Sequence, residues 1–213
     1  MKAKKKDLPY LLCLLVMPAL GFIYTLLNTD TRKAVILSTQ LDEWIPFVPA
    51  FIVPYILWYA FILGYLFYFW YKDVQTFLKT LGIIVIGELV CFVIYFYFQT
   101  TVPRPELAGD GLFIDLVGMI YNHDQPYNAF PSIHVLTTFA IILGNFNIKD
   151  KHLFHTVFVP VMGSLIILST LFVKQHFILD MASSIFLSVF LYGIMFELYG
   201  VSTKKSKQAY VEK

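Results

Sequence analysis

The chain is expected to fold as an all-α integral membrane protein, a six-transmembrane-helix bundle with both termini cytoplasmic. Three observations lead there. Hydrophobic residues make up 58% of the 213 residues and charged residues only 14%, with a mean hydropathy of +0.70, which is more apolar than a soluble domain can solvate. Apolar runs recur at residues 8–27, 51–71, 77–98, 132–148, 155–173 and 177–199; all but 132–148 approach the roughly 20 residues that a helix needs to cross about 30 Å of hydrocarbon. None of them alternates polar and apolar residues, so a membrane barrel is excluded and helices remain the spanning structure.

Charge supplies the third observation. With six helices and cytoplasmic termini, Lys2, Lys4, Lys5, Lys6, Lys72, Lys79, Lys149, Lys151, Lys204, Lys205, Lys207 and Lys213 lie inside, and only Arg32, Lys33, Arg104 and Lys174 lie outside. That is a strong positive-inside bias.

The elements follow in order. The first run comes after a Lys-rich start, but its apolar stretch is too long for a signal peptide and no small-residue cleavage site follows, so an uncleaved helix is expected. Residues 28–50 hold an amphipathic stretch, 32–44, then Pro46, Pro49 and Pro54, the pattern of an interfacial segment leading into a broken helix start. The links at 71–76 and 147–151 are short, as between antiparallel neighbours. Residues 99–131 form a long external loop, in which the apolar run 112–121 reads as a short interfacial helix covering the site. No repeat or hydrophilic domain interrupts the chain, so 1–213 is read as one membrane domain. Cys13 and Cys91 fall inside helices, with neither a disulfide framework nor a metal spacing.

Polar residues in this oily background carry the chemistry. In Lys174-Gln175-His176-Phe177-Ile178-Leu179-Asp180, His176 and Asp180 stand one helical turn apart. A carboxylate so placed fixes the imidazole tautomer and makes the other nitrogen a better nucleophile or base; an interfacial histidine beside a helix-anchoring aspartate fits the same spacing. Arg104, between Pro103 and Pro105, is stiffened and suits bidentate phosphate binding, or snorkelling at a helix end. In Pro131-Ser132-Ile133-His134 the proline suits a first helical turn, leaving amides free for an anion. His134 could reach the same anion or simply face water. The helix it opens spans only about 22 Å, so this start is expected to be recessed below the outer surface.

The remaining polar residues have plainer readings. Glu88, mid-helix, is read as neutral and hydrogen-bonded between helices. Asp115, His123 and Asp124 sit in the external loop without an assigned catalytic role. Phe67-Tyr68-Phe69-Trp70-Tyr71 reads as aromatic belt and lipid-facing packing.

Taken together, Arg104-Pro105, Pro131-Ser132-Ile133-His134 and His176 with Asp180, at external ends of consecutive helices, resemble the type 2 phosphatidic acid phosphatase superfamily, most closely its branch that includes the inositol phosphorylceramide synthases. The resemblance covers residues 45–199. It implies a six-helix bundle and metal-independent, cofactor-free phosphoester chemistry. By that resemblance His176 is the nucleophile, Asp180 its orienting carboxylate and His134 the general acid, while Arg104, Ser132 and the backbone around Ile133 bind phosphate. The chain departs from the pattern at Tyr97, where the family usually has lysine; at Ser169-Thr170, where it usually has Ser-Arg; and at Ile133, where it has glycine. Lys174 and the Tyr97 hydroxyl are the candidates to replace the missing cations.

The expected activity is therefore hydrolysis of a lipid phosphomonoester or pyrophosphate at the outer face of a plasma membrane, bacterial by its lack of organelle signals. Transfer of a phospho-headgroup to an alcohol is the second reading, and non-catalytic lipid binding or transport the third. The expected partners are a lipid phosphate substrate and membrane lipids, with no nucleic acid.

Overall fold

A computed structural model describes residues 5–29 and 33–198 of the chain. Lys2, Lys4, Arg32, Lys204, Lys205, Lys207 and Lys213, which enter the charge argument above, lie outside the described residues. The rest is helical, with no strand among the described residues beyond isolated bridges pairing Val35 with Thr100 and Thr101 with Tyr127.

The helices are α1 (Val16–Leu27), α2 (Gln40–Trp44), α3 (Ile52–Lys72), α4 (Val74–Tyr97), α5 (Leu112–His123), α6 (Ile133–Asn147), α7 (Leu153–Phe172) and α8 (Ile178–Tyr192). A 3-10 segment, Lys5–Leu15, runs into α1, and a π segment, Gly193–Leu198, continues α8. Five helical stretches are long and apolar enough to cross a membrane: Lys5–Leu27, Pro49–Lys72, Val74–Tyr97, Leu153–Phe172 and Ile178–Glu197. The sixth run forms α6, a shorter apolar helix of 15 residues.

Why α6 is apolar on every side is clear from its position. It packs against α3, α4, α7 and α8, and a helix without a polar face is one surrounded by protein or lipid. Val135, Leu136, Ala140 and Ile141 are fully buried. Two glycines let neighbours come close: a Cβ at Gly87 would stand 2.7 Å from the Leu136 side chain, and one at Gly163 would stand 2.7 Å from that of Ile142. Small residues of this kind set the approach of helices where lipid supplies no hydrophobic drive between them. At the far end of α6, Lys151 Nζ donates to the carbonyls of Asn145 and Ile148, a cation satisfying the last free carbonyls and complementing the helix dipole.

The segments around the bundle differ in part from expectation. Of the amphipathic stretch 32–44, only Gln40–Trp44 is helical. Val35 is instead extended and bonded to Gln99 and Thr101. Thr39 and Asp42 close a capping box over α2, which fixes where that helix begins. The broken start before α3 is a 3-10 turn, Pro49–Phe51. Helix α5 lies over the N-terminal end of α3, where Val117 packs with Ile52, Tyr55 and Val173. The aromatic cluster is split: Phe67 and Tyr71 are exposed, whereas Phe69 is in the core and Trp70 Nε1 donates to the Asp7 carbonyl.

Candidate active site

Ser132 begins the site. Its Oγ accepts from the Val135 amide at 3.3 Å, making it the N-cap of α6, and Tyr95 Oη donates to the Pro131 carbonyl just before it. The Ser132 amide points to the Asp180 carbonyl at 3.4 Å, so the starts of α6 and α8 are joined. Pro131 has no amide hydrogen, and the amides of Ile133 and His134 donate to no group among the described residues. These are the orphan donors that a helix N-terminus offers an anion.

His134 is held by aromatic rings rather than hydrogen bonds. Its ring lies 4.7 Å from that of Tyr55 and 4.3 Å from that of Trp58, centroid to centroid. Trp58 is itself fixed by Nε1 donating to Thr137 Oγ1 at 2.9 Å, one helical turn below Ile133. The His134 ring nitrogens have no hydrogen-bond partner among the described residues and lie beside the cavity.

Between α7 and α8 the chain makes a tight turn. The Thr170 carbonyl accepts from the amides of both Gln175 and His176, at 3.0 and 3.1 Å, while Lys174 adopts φ +52°. This turn aims the His176 ring at the start of α6, 5.9 Å from the His134 ring. His176 Nδ1 is 3.0 Å from the Ala129 carbonyl oxygen. A carbonyl only accepts, so the hydrogen sits on Nδ1 and the lone pair on Nε2. Asp180 Oδ2 lies 3.5 Å from the same nitrogen, and its hydrogen bond goes to the Phe177 amide at 2.8 Å. Asp180 thus closes the first turn of α8 and sets a negative charge beside the histidine, while the hydrogen bond that fixes the tautomer comes from Ala129. Asp180 Oδ1 is buried without a partner among the described residues.

Arg104 ties the loop 99–131 to this turn. Its terminal nitrogens donate to the carbonyls of Tyr121 and Asp124 and to Gln175 Oε1, each at 2.7 Å, and the guanidinium lies over the Tyr121 ring at 4.3 Å. Burial pulls its pKa below the usual arginine value, with Asp124 opposing. Three buried donors around it have no acceptor among the described residues: Arg104 Nε, Gln175 Nε2 and Tyr55 Oη. Unmet buried donors of this kind are costly and call for an acceptor.

A cavity of about 520 Å³ opens beside the two histidines. Its outer part is lined by Tyr24, Asn28, Asp124 and Asn128, and it continues between α1 and α3 past Gly21, Met17, Ile62 and Leu63 to Glu88. The gap exists because α1 packs on α4 while α3 packs on α4, α6 and α7. Asp124 Oδ1 accepts from Tyr24 Oη at 2.9 Å and Asn28 Nδ2 at 2.7 Å, holding the end of α1 to the end of α5. Burial pushes the Asp124 carboxyl above the ordinary aspartate value, while the Tyr24 hydrogen bond, Arg104, His176 and Asn28 pull it back.

The other candidates stand elsewhere. Lys174 Nζ donates to the carbonyls of Asp42 and Ile45, at 3.3 and 2.5 Å, which fastens the end of α2 to the His176 turn. Tyr97 is 78% exposed, with its ring against Phe96 and not among the residues lining the cavity. Asp115 is exposed in the first turn of α5, and His123 is at the cavity mouth. Glu88 makes no interhelical hydrogen bond among the described residues, because it faces the cavity. Ala129, Gln175, Tyr55 and Trp58 were not singled out in the sequence. Gln175 stands within the Lys174–Asp180 stretch and Ala129 two residues before Pro131-Ser132-Ile133-His134, and that adjacency is their only signal in the sequence.

A family model described as the PAP2 superfamily matches residues 76–204, more than half of the chain, and this span contains Arg104, the Asn128–His134 stretch and the His176 turn. No curated protein and no solved structure matches the chain. The chain belongs to the PAP2 superfamily, whose members are typically phosphatases or phosphotransferases, and this supports an enzyme of that type.

Proposed function

We propose, from this family membership, that the protein is a membrane lipid phosphatase that hydrolyses a lipid phosphomonoester or pyrophosphate through a phosphohistidine. The observation that carries the reading is the His176 ring, with Nδ1 committed to Ala129 and Nε2 left for chemistry, 5.9 Å from His134 at the wall of a cavity.

In this reading Nε2 attacks phosphorus, the bond from phosphorus to the lipid oxygen breaks, and protonated His134 gives its proton to the departing alkoxide. Water then gives a proton to His134 and attacks phosphorus; the P–N bond breaks and phosphate leaves. Splitting the reaction in this way replaces one difficult step with two easier ones. Asp180 opposes the positive charge that develops on the His176 ring. The free amides of Ile133 and His134 receive equatorial oxygens, and Arg104 and Gln175 turn their unused donors to the same anion. Ser132 holds the helix start that presents those amides. Tyr97 and Lys174 act outside the phosphate site, Lys174 as a fastener of α2.

In this reading the chain makes six spans with cytoplasmic termini and the site faces the outer side of a plasma membrane; the charge bias of the sequence supports that orientation. The gap between α1 and α3 suits a lipid whose headgroup moves in sideways while its chain stays apolar. Attack by an alcohol in place of water, as in the inositol phosphorylceramide synthase branch, is the second reading. It is favoured by a cavity with room for an acceptor beside the headgroup.

Incubating the purified protein with lipid phosphates, with and without alcohols, separates these readings. Inorganic phosphate alone is the result of hydrolysis, and a phosphorylated acceptor is the result of transfer. Phosphate release or transfer that is unchanged in His176→Ala would end both readings and leave lipid binding or transport.

A further inference from the structure

Glu88 takes no part in the chemistry above, yet it occupies a telling place. It is 5% exposed, in the middle of a stretch long and apolar enough to span a membrane. It has no hydrogen-bond or ionic partner among the described residues, and it lines the inner part of the cavity with Met17, Gly21, Ile62 and Leu63. Gly87 beside it presses on Leu136, which fixes the rotation of α4 and turns Glu88 away from α6. Tyr95, whose hydroxyl holds the Pro131 carbonyl at the phosphate end, is seven residues further on, so Glu88 lies on the same face about 10 Å inward.

An intramembrane carboxyl without a partner is expensive and calls for one. Water in the empty cavity can serve, but a lipid chain filling the cavity expels that water. If the chain were pure hydrocarbon at this depth, the carboxyl would be left buried and unpaired.

We propose that Glu88 is a specificity residue that hydrogen-bonds the ester or amide linkage of an acylated lipid phosphate, and so selects such lipids over polyprenyl phosphates. A carboxyl accepts from an amide N–H or hydroxyl, and in its neutral form donates to an ester or amide carbonyl. A polyprenyl chain offers neither. Sites with a buried hydrogen-bonding group reject ligands that leave it unpaired. This selection rests on the reading of the cavity as a lipid site, and it is tested by binding so that it stands apart from turnover.

The experiment places wild-type Glu88, Glu88→Gln and Glu88→Leu in a His176→Ala background and measures displacement of a fluorescent lipid phosphate in detergent micelles. The competitors are phosphatidic acid, ceramide phosphate and a polyprenyl phosphate of matched length. With Glu88 present, the better of the ester and amide lipids binds at least about tenfold tighter than the polyprenyl phosphate, the scale of one net hydrogen bond. Which of the two is better identifies the linkage. Glu88→Gln keeps the order. Glu88→Leu erases it, weakening the acylated lipid and strengthening the polyprenyl phosphate. Equal binding of all three lipids with Glu88 present, or equal weakening of all three by Glu88→Leu, overturns the proposal. If Glu88→Leu does not fold, Glu88→Gln and the wild-type order still decide it. Loss of turnover in His176→Ala bears on the mechanism alone and leaves this comparison untouched.

Discussion

His176 gives its Nδ1 hydrogen to the carbonyl oxygen of Ala129, 3.0 Å away. Ala129 lies in the segment leading into α6 and His176 in the turn leading into α8, so one bond joins the two halves of the site and leaves Nε2 aimed at the cavity. Asp180, 3.5 Å from the same nitrogen, supplies charge rather than the tautomer.

That division predicts unequal losses. His176→Ala should abolish trapping of a ³²P-labelled phosphoenzyme and reduce phosphate release to background. Asp180→Asn keeps an oxygen for the Phe177 amide and leaves the Ala129 bond intact but removes the negative charge beside the ring, so kcat should fall by about 10- to 100-fold, the equivalent of about 1.4–2.7 kcal/mol of transition-state stabilisation. Asp180→Ala also removes the helix-start bond and should lower stability by about 1 kcal/mol. A loss for Asp180→Asn as complete as for His176→Ala would mean that the carboxylate, not Ala129, governs the imidazole.

Arg104 makes three hydrogen bonds, to Tyr121, Asp124 and Gln175, so its removal should loosen the loop as well as the phosphate site. Arg104→Ala is expected to lower kcat/KM by about 100-fold, the scale of losing one preorganised donor at a developing charge, and to lower the melting temperature. Arg104→Lys should recover little, because an ammonium lacks the planar fork that reaches several acceptors at once. Full activity in Arg104→Lys would show that charge alone suffices.

The proposed reaction relies on histidine and amide donors and asks nothing of a metal ion. Phosphate release should therefore persist after exhaustive chelation. Vanadate, which adopts the five-coordinate geometry of the transferring phosphoryl group, should inhibit competitively. A strict requirement for magnesium would overturn the phosphohistidine reading.

The long helices were legible from the sequence because a membrane span is announced by length and apolarity together. The short helix within residues 99–131 was legible too, since residues 112–121 form an apolar run in a polar segment and fold as Leu112–His123. What the sequence did not disclose depends on contacts between distant segments. Lys174 reads as a phosphate-ligand candidate by its distance from His176 along the chain, and nothing in that spacing tells that its Nζ meets the carbonyls of Asp42 and Ile45. Ala129 carries no chemical side chain, and its carbonyl becomes a site element only because the turn after α7 brings His176 to it. Asp124 looked like an ordinary loop carboxylate until α1 was placed beside it.

Asp124 makes its own prediction. Its Oδ1 accepts from Tyr24 and Asn28, at 2.9 and 2.7 Å, and these stand beside the bonds from Asn28 Nδ2 to the Gln125 carbonyl and from Asn128 Nδ2 to the Leu27 carbonyl as polar ties between the end of α1 and the loop 99–131. Asp124→Asn retains a carbonyl oxygen for both donors and should leave the melting temperature nearly unchanged. Asp124→Ala strands the Tyr24 hydroxyl and leaves Asn28 Nδ2 only its longer bond to the Gln125 carbonyl, and should cost about 1–3 kcal/mol, read as a lower melting temperature in detergent. Equal melting of the two variants would show that the Asp124 bonds add nothing to the hold on α1.

Gly21 tests the path of the lipid. It faces the cavity between α1 and α3, and a Cβ built there meets no atom within 4 Å. A larger side chain is therefore accommodated by the fold and extends into the space assigned to the lipid chain. Gly21→Leu should leave the melting temperature unchanged, since it removes no contact and α1 tolerates leucine better than glycine. Hydrolysis of a small water-soluble phosphate ester, which needs only the histidines and the phosphate donors, should continue at the wild-type rate. Release of phosphate from a long-chain lipid phosphate should fall by about tenfold or more in kcat/KM, the equivalent of about 1.4 kcal/mol of lost transition-state binding. The ratio of the two rates is the decisive reading, because a general disturbance of the site would lower both. Equal activity of Gly21→Leu on both substrates would place the lipid chain outside this cavity.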